Sequence, residues 1–339
     1  MAGASSAAIS KGPFLILGCG SIGKRHIGNL RRLGAEKIFA FDIREDRRQE
    51  AAGQFGVEVF SHLETAFQRG IQAAFICTPS HLHVKQALEA AKAGCHLFIE
   101  KPLAASMDGV DELISEVRKR RVVGMVGCNF RFHPGLQRVK ALMSEGAIGK
   151  ILSARAEFGQ YLPDWHPWED YRSGYSAQRK LGGGVVLDRI HEIDYLRWLL
   201  GDAVAVCAMT GHLSELEIDS EDNAEIIIRF RSGTVGSVHL DYVRRAHECS
   251  LSLTGEGGMI LWSYTDHSVR WYLAKEHAWH AMRWPHYDGN TMYLDELRHF
   301  LKALEGEESP EQSLEDAKAA LAIALAAKRA SAEERTVLL

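Results

Sequence analysis

A short apolar run, Phe14–Leu17, leads directly into Gly18-Cys19-Gly20-Ser21-Ile22-Gly23, and few folds accommodate that order. An unbroken apolar run fits a central strand buried on both faces. Glycines at G-x-G-x-x-G spacing let the chain turn sharply, let bare backbone approach a ligand, and let the next helix pack close to the strand. A helix is expected to follow, with Ile22, Ile27, Leu30 and Leu33 near one face and Gly34 past its end. The open N–H groups and positive dipole end at its start suit phosphate. A second strand, 37–41, ends in Asp42, where a dinucleotide fold places an acid on the adenosine ribose. Gly18, Gly20, Ser21, Ile22, Gly23 and Asp42, with the adjacent Ile43 and Arg44, therefore read as an NAD site. A carboxylate repels a 2′-phosphate, which disfavours NADP. Arg44, Arg47 and Arg48 follow closely enough to keep NADP open.

The alternation of strand and helix continues. Residues 73–77 form a strand entering Thr78-Pro79-Ser80, and Val84, Ala87, Leu88 and Ala91 give the next helix its apolar face before Gly94. Leu97, Phe98 and Ile99 form a strand that delivers Glu100, Lys101 and Pro102. A helix opened by Ser106 carries Val110, Leu113, Ile114 and Val117, and 122–128 is one more strand. Strands separated by single helices imply an α/β fold with a doubly wound parallel sheet. Ligands bind such sheets beyond the carboxyl ends of the strands. Gly18–Gly23, Asp42, Thr78-Pro79, Glu100–Pro102 and Asn129–Arg131 all fall on that edge, so Thr78, Pro79, Glu100, Lys101 and Asn129 join the cofactor set. For His81 and His83, cofactor contact and an ordinary polar first helical turn both stay open. A lysine ending a buried strand is partly desolvated, which moves it toward proton exchange. The alternative is a solvated Glu-Lys pair, and the shared edge favours the functional reading of Lys101.

The second half has a different texture. A helix over 134–144 precedes a junction at Gly146-Ala-Ile-Gly149, and 151–158 reads as a strand. The loop that follows holds Tyr161, Trp165, His166, Trp168, Tyr171, Arg172 and Tyr175. Rings cover sugar C–H faces while polar groups take hydroxyls, so Arg131, Tyr161, Trp165, Arg172 and Tyr175 are substrate candidates. An oligomer contact or a lid is the other reading of this loop. Next, Gly182-Gly-Gly184 opens a helical stretch to Leu200, with Asp188 and His191 three apart on one face. A histidine near a helix start is biased toward the neutral form that acts as a base; Asp188 and His191 are thus catalytic and substrate candidates.

From Val204 short alternating strands (204–213, 223–230, 234–242, 248–255, 259–262 and 268–273) imply a large, open, mostly antiparallel sheet in an α+β domain. Its open face offers an oligomer surface for a dimer or tetramer. Residues 277–293 look irregular and 294–304 and 314–329 helical. The expected layout is a disordered lead-in over 1–11, a dinucleotide domain over 12–130, a substrate and oligomerisation domain over 131–312, and a last helix over 313–335 packing back on the first domain.

With 339 residues, 46% of them hydrophobic and 25% charged, the chain can bury a sizeable core. A net charge of −4 gives no reason to expect nucleic acid or an anionic membrane as partner. Its six cysteines make no Cys-x-x-Cys pair, which suits buried, reduced thiols and neither a disulfide framework nor a metal site. No signal segment or membrane span is visible, so a soluble cytoplasmic protein is expected.

Taken in order, Gly18-Cys-Gly20-Ser-Ile-Gly23-Lys-Arg-His, Thr78-Pro79, Glu100-Lys101-Pro102, and Gly182-Gly-Gly184 with Asp188 and His191 resemble the Gfo/Idh/MocA family, over nearly the whole chain. The resemblance implies a Rossmann domain followed by an open-sheet domain. It also implies NAD(P)-dependent hydride transfer at a carbinol or ketone carbon of a sugar, sugar acid, nucleotide-sugar or cyclitol. It makes Lys101 the catalytic lysine, with Asp188 and His191 beside it, and suggests a cis bond before Pro102. In the common pattern the Asp and His are four apart; here they are three apart, which loosens the role of Asp188. The same fold also carries non-catalytic dinucleotide- or sugar-sensing regulators. The joint presence of Lys101 and His191 favours an enzyme, because a sensor needs neither.

Overall fold

The structure, a computed structural model, describes residues 12–165 and 167–339. The lead-in over 1–11 and His166 of the aromatic loop lie outside the described residues. The chain divides into two compact units, one comprising the chain up to Cys128 with Met292–Ala317 and the other Asn129–Thr291 with Lys318–Leu339.

The first unit alternates β1 (Phe14–Leu17), α1 (Ser21–Arg32), β2 (Ile38–Phe41), α2 (Glu45–Phe55), β3 (Glu58–Phe60), α3 (Leu63–Phe67), β4 (Ala73–Ile76), α4 (His83–Lys92), β5 (His96–Glu100), α5 (Val110–Arg120) and β6 (Gly124–Gly127). The six strands are parallel, in the order β3-β2-β1-β4-β5-β6. The chain reverses its direction of growth between β1 and β4, and such a switch point opens a crevice at the carboxyl ends of the strands. β1 and β4 are fully buried, which explains why their sequences show apolar runs and no alternation. Phe75 and Phe98 stack at 5.1 Å, and Phe300 meets both edge-on at 5.5 and 5.3 Å.

The second unit contains α6 (Pro134–Ser144), β7 (Ile151–Gly159), α7 (Val185–Asp188), α8 (His191–Leu200), β8 (Ala203–Gly211), β9 (Asn223–Phe230), β10 (Val235–Asp241), β11 (Glu248–Gly255), β12 (Gly258–Ser263), β13 (Ser268–Leu273) and β14 (Ala278–Arg283). After α9 (Asn290–Leu304), which falls largely in the first unit, come α10 (Leu314–Ala332) and β15 (Val337–Leu338). Nine strands form one sheet in the order β14-β13-β12-β11-β7-β10-β9-β8-β15, antiparallel throughout except for β7 beside β10. One face is buried through Ala156, Phe158, Val238, Leu240, Leu251 and Leu253, with Ile193 and Leu196 of α8 also in the core. The other is open, with Met209, Ile227 and Val235 exposed.

Several details differ from the sequence-based expectation. The stretch 277–293 contains the edge strand β14, whose half-exposed residues hide any alternation. Asp188 and His191 do not share one helix: α7 ends at Asp188, and Arg189 (φ −100°, ψ 40°) separates it from α8. α9 belongs with the first unit, although 131–312 was expected to form one domain. The first turn of α10 joins the first unit, where Arg118 pairs with Glu315 at 2.6 Å. The rest of α10 joins the second unit: Lys328 pairs with Glu221 at 2.9 Å, and Thr210 N–H donates to the Ser331 hydroxyl at 2.8 Å. Cys207 is exposed, unlike the other five cysteines. No helix among the described residues is long and apolar enough to cross a membrane.

His133 caps α6: its Nδ1 accepts the Gly135 N–H at 3.0 Å, and the ring lies buried among Trp262, Tyr264 and Tyr287. Burial pushes its pKa down to about 3, so the folded protein holds the ring neutral while the unfolded chain protonates near pH 6.5. Stability from this group is complete above that value and is lost as pH falls toward about 3. Between pH 6.5 and 5 one such proton costs about 2 kcal/mol. His133→Asn keeps a capping side chain, so denaturation curves at pH 7 and pH 5 are expected to lie closer together in that variant than in the wild type.

Candidate active site

In the first unit, α1 begins immediately after the glycine turn, and Gly23 lies in its first turn. A Cβ at Gly23 would overlap the Gly18 carbonyl oxygen and press on Ile16. Only glycine lets helix and strand approach this closely. The first N–H groups of the helix have no intrahelical acceptors, and its first turn contains no acid. Asp42 at the end of β2 accepts the Cys19 N–H at 2.8 Å and the Arg44 N–H at 2.9 Å. It thereby holds the glycine turn against the neighbouring strand end. Arg44 pairs with Asp46, Arg48 donates to the Asp42 and Ile43 carbonyls at 2.8 and 3.0 Å, and Arg47 Nη1 stands 4.0 Å from Asp42. Ile43 is 80% exposed. A bare-backbone turn, a helix N-terminus free of acids and a carboxylate at the end of the neighbouring strand fit a dinucleotide.

On the same edge, β5 ends in Glu100, followed by half-buried Lys101 and a cis Lys101–Pro102 bond. The Glu100 carboxylate is buried and engaged inside the protein. Its Oε1 lies 2.6 Å from His26 Nε2, and its Oε2 accepts the Lys101 N–H at 3.2 Å. Thr78 and Pro79 are half-buried at the end of β4, and His81 is exposed. His83 is only 1% exposed, and its nitrogens contact the Pro102 and Thr78 carbonyls at 2.8 and 2.7 Å. Its ring therefore has no face left for the cofactor contact raised from the sequence. Burial is the largest influence on His83 and holds its pKa below the usual histidine value, against the opposing pull of the two carbonyls and Glu100.

In the second unit, Gly184 (φ +107°) turns the chain into α7, and a Cβ there would overlap the Glu221 carboxylate. Asp188 is 2% exposed and accepts from the Tyr175, Ser176 and Tyr242 hydroxyls, the last two at 2.7 and 3.0 Å. Burial, with the Asp188 charge next, drives the Tyr242 pKa well above its usual value, so Tyr242 stays a donor. Asp188 thus ties the aromatic loop to β10. His191 begins α8, and Phe130 stacks near it at 4.8 Å. Arg189 lies over the Phe158 ring at 3.5 Å and pairs with buried Glu192 at 2.9 Å.

The substrate candidates separate. Arg131, expected as a substrate contact, is buried in a two-pronged pair with Asp194 at 2.9 and 2.7 Å. Arg172 is exposed and pairs with Asp170 and Glu217 at 2.8 and 2.9 Å. Tyr161 stacks under Arg245 at 3.5 Å, and Trp165 meets Phe158 and Tyr242 edge-on. Asn129 is buried. Sequence reasoning gave no role to His26, Ser176, Tyr242 or Arg189. The Gly23-Lys-Arg-His26 order places His26 one turn beyond the last glycine, a signal that identifies it only once the helix is known to pack on β5. Among the described residues no group of three His, Cys, Asp or Glu is arranged to hold a metal.

These two units are a dinucleotide-type parallel α/β unit and a unit built on a large open sheet. Two family descriptions match: "Oxidoreductase family, NAD-binding Rossmann fold" over residues 13–128, and "GFO/IDH/MocA C-terminal domain" over residues 136–261. The chain belongs to the Gfo/Idh/MocA family and is an NAD-binding oxidoreductase. It is 30% identical to myo-inositol 2-dehydrogenase of Thermotoga maritima, covering 96% of this chain and 97% of that protein. It is 31% identical to levoglucosan dehydrogenase of Pseudarthrobacter phenanthrenivorans over 68% of this chain and 66% of that protein. A structure of levoglucosan dehydrogenase with NADH and levoglucosan superposes with a TM-score of 0.85 at 26% identity, covering 96% of this chain and 98% of that one.

If Asp42 sets the choice of NAD over NADP, Asp42→Ser removes the charge that would repel a 2′-phosphate and keeps a small polar side chain. Fluorescence titrations with NADH and NADPH are expected to show the preference for NADH falling at least about tenfold, the size of one charge-assisted contact. An unchanged ratio would assign the discrimination to other residues.

Proposed function

We propose that this protein is an NAD-dependent dehydrogenase or reductase that works on a secondary carbinol or ketone carbon of a sugar or cyclitol. The observation that carries the reading is Lys101. It is a half-buried lysine held at the end of β5, on the sheet edge that also bears the Gly18–Gly23 turn. NAD supplies the hydride acceptor when bound. In oxidation the substrate carbon loses a hydride and its hydroxyl loses a proton, and the proton goes to Lys101 or His191. In reduction the same group returns the proton to the carbonyl oxygen, while positive charge at Lys101 opposes the developing alkoxide. Asp188 holds the loop bearing Tyr175 in place and does not itself take the proton. The relatives named above are dehydrogenases of myo-inositol and levoglucosan, which supports a ring with several hydroxyls as substrate class. Tyr161, Trp165 and Tyr175 provide ring faces and a hydroxyl suited to such a ligand. Assembly into a dimer or tetramer through the open sheet face, in the cytoplasm, completes the proposal; exposed Met209, Ile227 and Val235 on that face support it.

The test is a screen of cyclitols, sugars, anhydrosugars and nucleotide-sugars with NAD or NADH, followed by the reduced nicotinamide absorbance. With a substrate in hand, Lys101→Ala is expected to lower kcat by about 10²–10⁴-fold, the usual worth of a positioned acid–base group, with NADH affinity retained. His191→Gln shows whether the imidazole shares the proton. Near-normal turnover in both variants would sink the assignment. NADH binding without turnover on any of these compounds would favour a sensing protein.

A further inference from the structure

Two buried histidines from different helices flank Lys101. His26 is carried by α1, the helix that follows the glycine turn, and is fully buried against Phe75, Phe98 and Tyr293, with ring centroids 5.9, 5.1 and 6.5 Å away. Its Nε2 lies 2.6 Å from Glu100 Oε1, while its Nδ1 has no hydrogen-bond partner. The proton therefore sits on Nε2 and points at the carboxylate, because an orphaned lone pair is tolerated more readily than an orphaned N–H. His83 begins α4, on the other side. Its Nδ1 is 2.8 Å from the Pro102 carbonyl and its Nε2 2.7 Å from the Thr78 carbonyl. One histidine thus grips the residue before Lys101 and the other the residue after it. Glu100 links the first grip to the lysine itself, since its second oxygen accepts the Lys101 N–H.

We infer that His26 and His83 are positioning residues that clamp the Glu100–Pro102 turn and so fix the aim of the Lys101 amine. The inference rests on the reading of Lys101 as the proton-handling group and deepens it. Neither ring has a face open to a ligand, so neither acts on substrate directly. Both rings are buried, and the His26 contact to Glu100 and the His83 Nδ1 contact to Pro102 converge on the three residues around one lysine. With a single N–H when neutral, His83 donates to one of the two carbonyls and packs its other nitrogen against the second, so the ring spans the β5 turn and the end of β4 at Thr78. The cofactor edge and the lysine are thereby held in one piece. His26 does the same from the helix that begins at the dinucleotide turn.

The test reads the lysine and does not depend on substrate. The full-length protein is treated with limiting acetic anhydride, and acetylation of Lys101 is measured by peptide mass spectrometry against Lys85 and Lys92, which lie on α4 with His83. In His26→Leu and His83→Leu, Lys101 is expected to react about fivefold faster relative to those controls, the change in a local opening equilibrium for one lost hydrogen bond. His26→Gln keeps a donor toward Glu100 and is expected to stay near the wild type. His83→Gln keeps one of two contacts and is expected to fall between wild type and His83→Leu. NADH affinity is expected to change by less than about twofold. A Lys101 rate within about 1.5-fold of wild type in both leucine variants would overturn the clamp. So would a parallel rise at Lys85 and Lys92, which marks general loosening of the helix. If either leucine variant fails to fold, His83→Asn, too short to span both carbonyls, carries the same comparison. Absence of turnover in the sugar screen would leave this labelling result intact, so the two readings fail separately.

Discussion

The close approach of α1 to β1 at Gly23 is the constraint on which the first unit depends. Any side chain there would overlap the Gly18 carbonyl. With glycine, the helix settles onto the sheet, its N-terminus faces the glycine turn, and its next turn brings His26 against Phe98 and Glu100. One backbone contact therefore sets both the position of the helix N-terminus at the glycine turn and the buried partner of the residue before Lys101. Asp42 adds a second tie by holding the turn through Cys19 N–H.

The second unit solves a comparable problem with hydroxyls. Asp188 is a buried carboxylate, and a buried charge is costly unless its oxygens are engaged. Tyr175, Ser176 and Tyr242 satisfy it, and in doing so they fasten an irregular loop to the end of β10. The break at Arg189 turns His191 onto the start of a separate helix. The three-residue spacing of Asp and His thus acts through a chain break and not through a shared helical face. Two other buried charges are paired: Arg131 with Asp194, and Glu192 with Arg189. Burial pushes the Glu192 pKa upward, against the pull of Arg189. Such pairs hold position, and breaking one partner is more damaging than the pair is stabilising.

Much of the architecture was legible in the chain because its signals are local. Apolar runs of four, glycines at fixed spacing, and period-two alternation over 248–253 each report a nearest-neighbour environment, and β1, β4, β9, β11 and β13 fall where those signals place them. β14 was missed because an edge strand has no buried face to create a pattern. The helical stretch expected from the triple glycine to Leu200 is continuous in periodicity, yet a local break at Arg189 leaves periodicity nearly unchanged.

By itself the sequence determined the α/β-then-β order, the glycine turn between β1 and α1 with Asp42 at the end of β2, and the placing of Lys101 at a strand end, since these depend on residue spacing within short segments. Only the tertiary structure decided which polar residues remain open to a ligand. Arg131 and His83 looked like site residues and are buried in internal contacts, whereas His26, far from Glu100 in sequence, became its partner. The physical reason is that hydrogen-bond partners of buried groups are chosen by packing between elements, and no local pattern records which element will lie alongside.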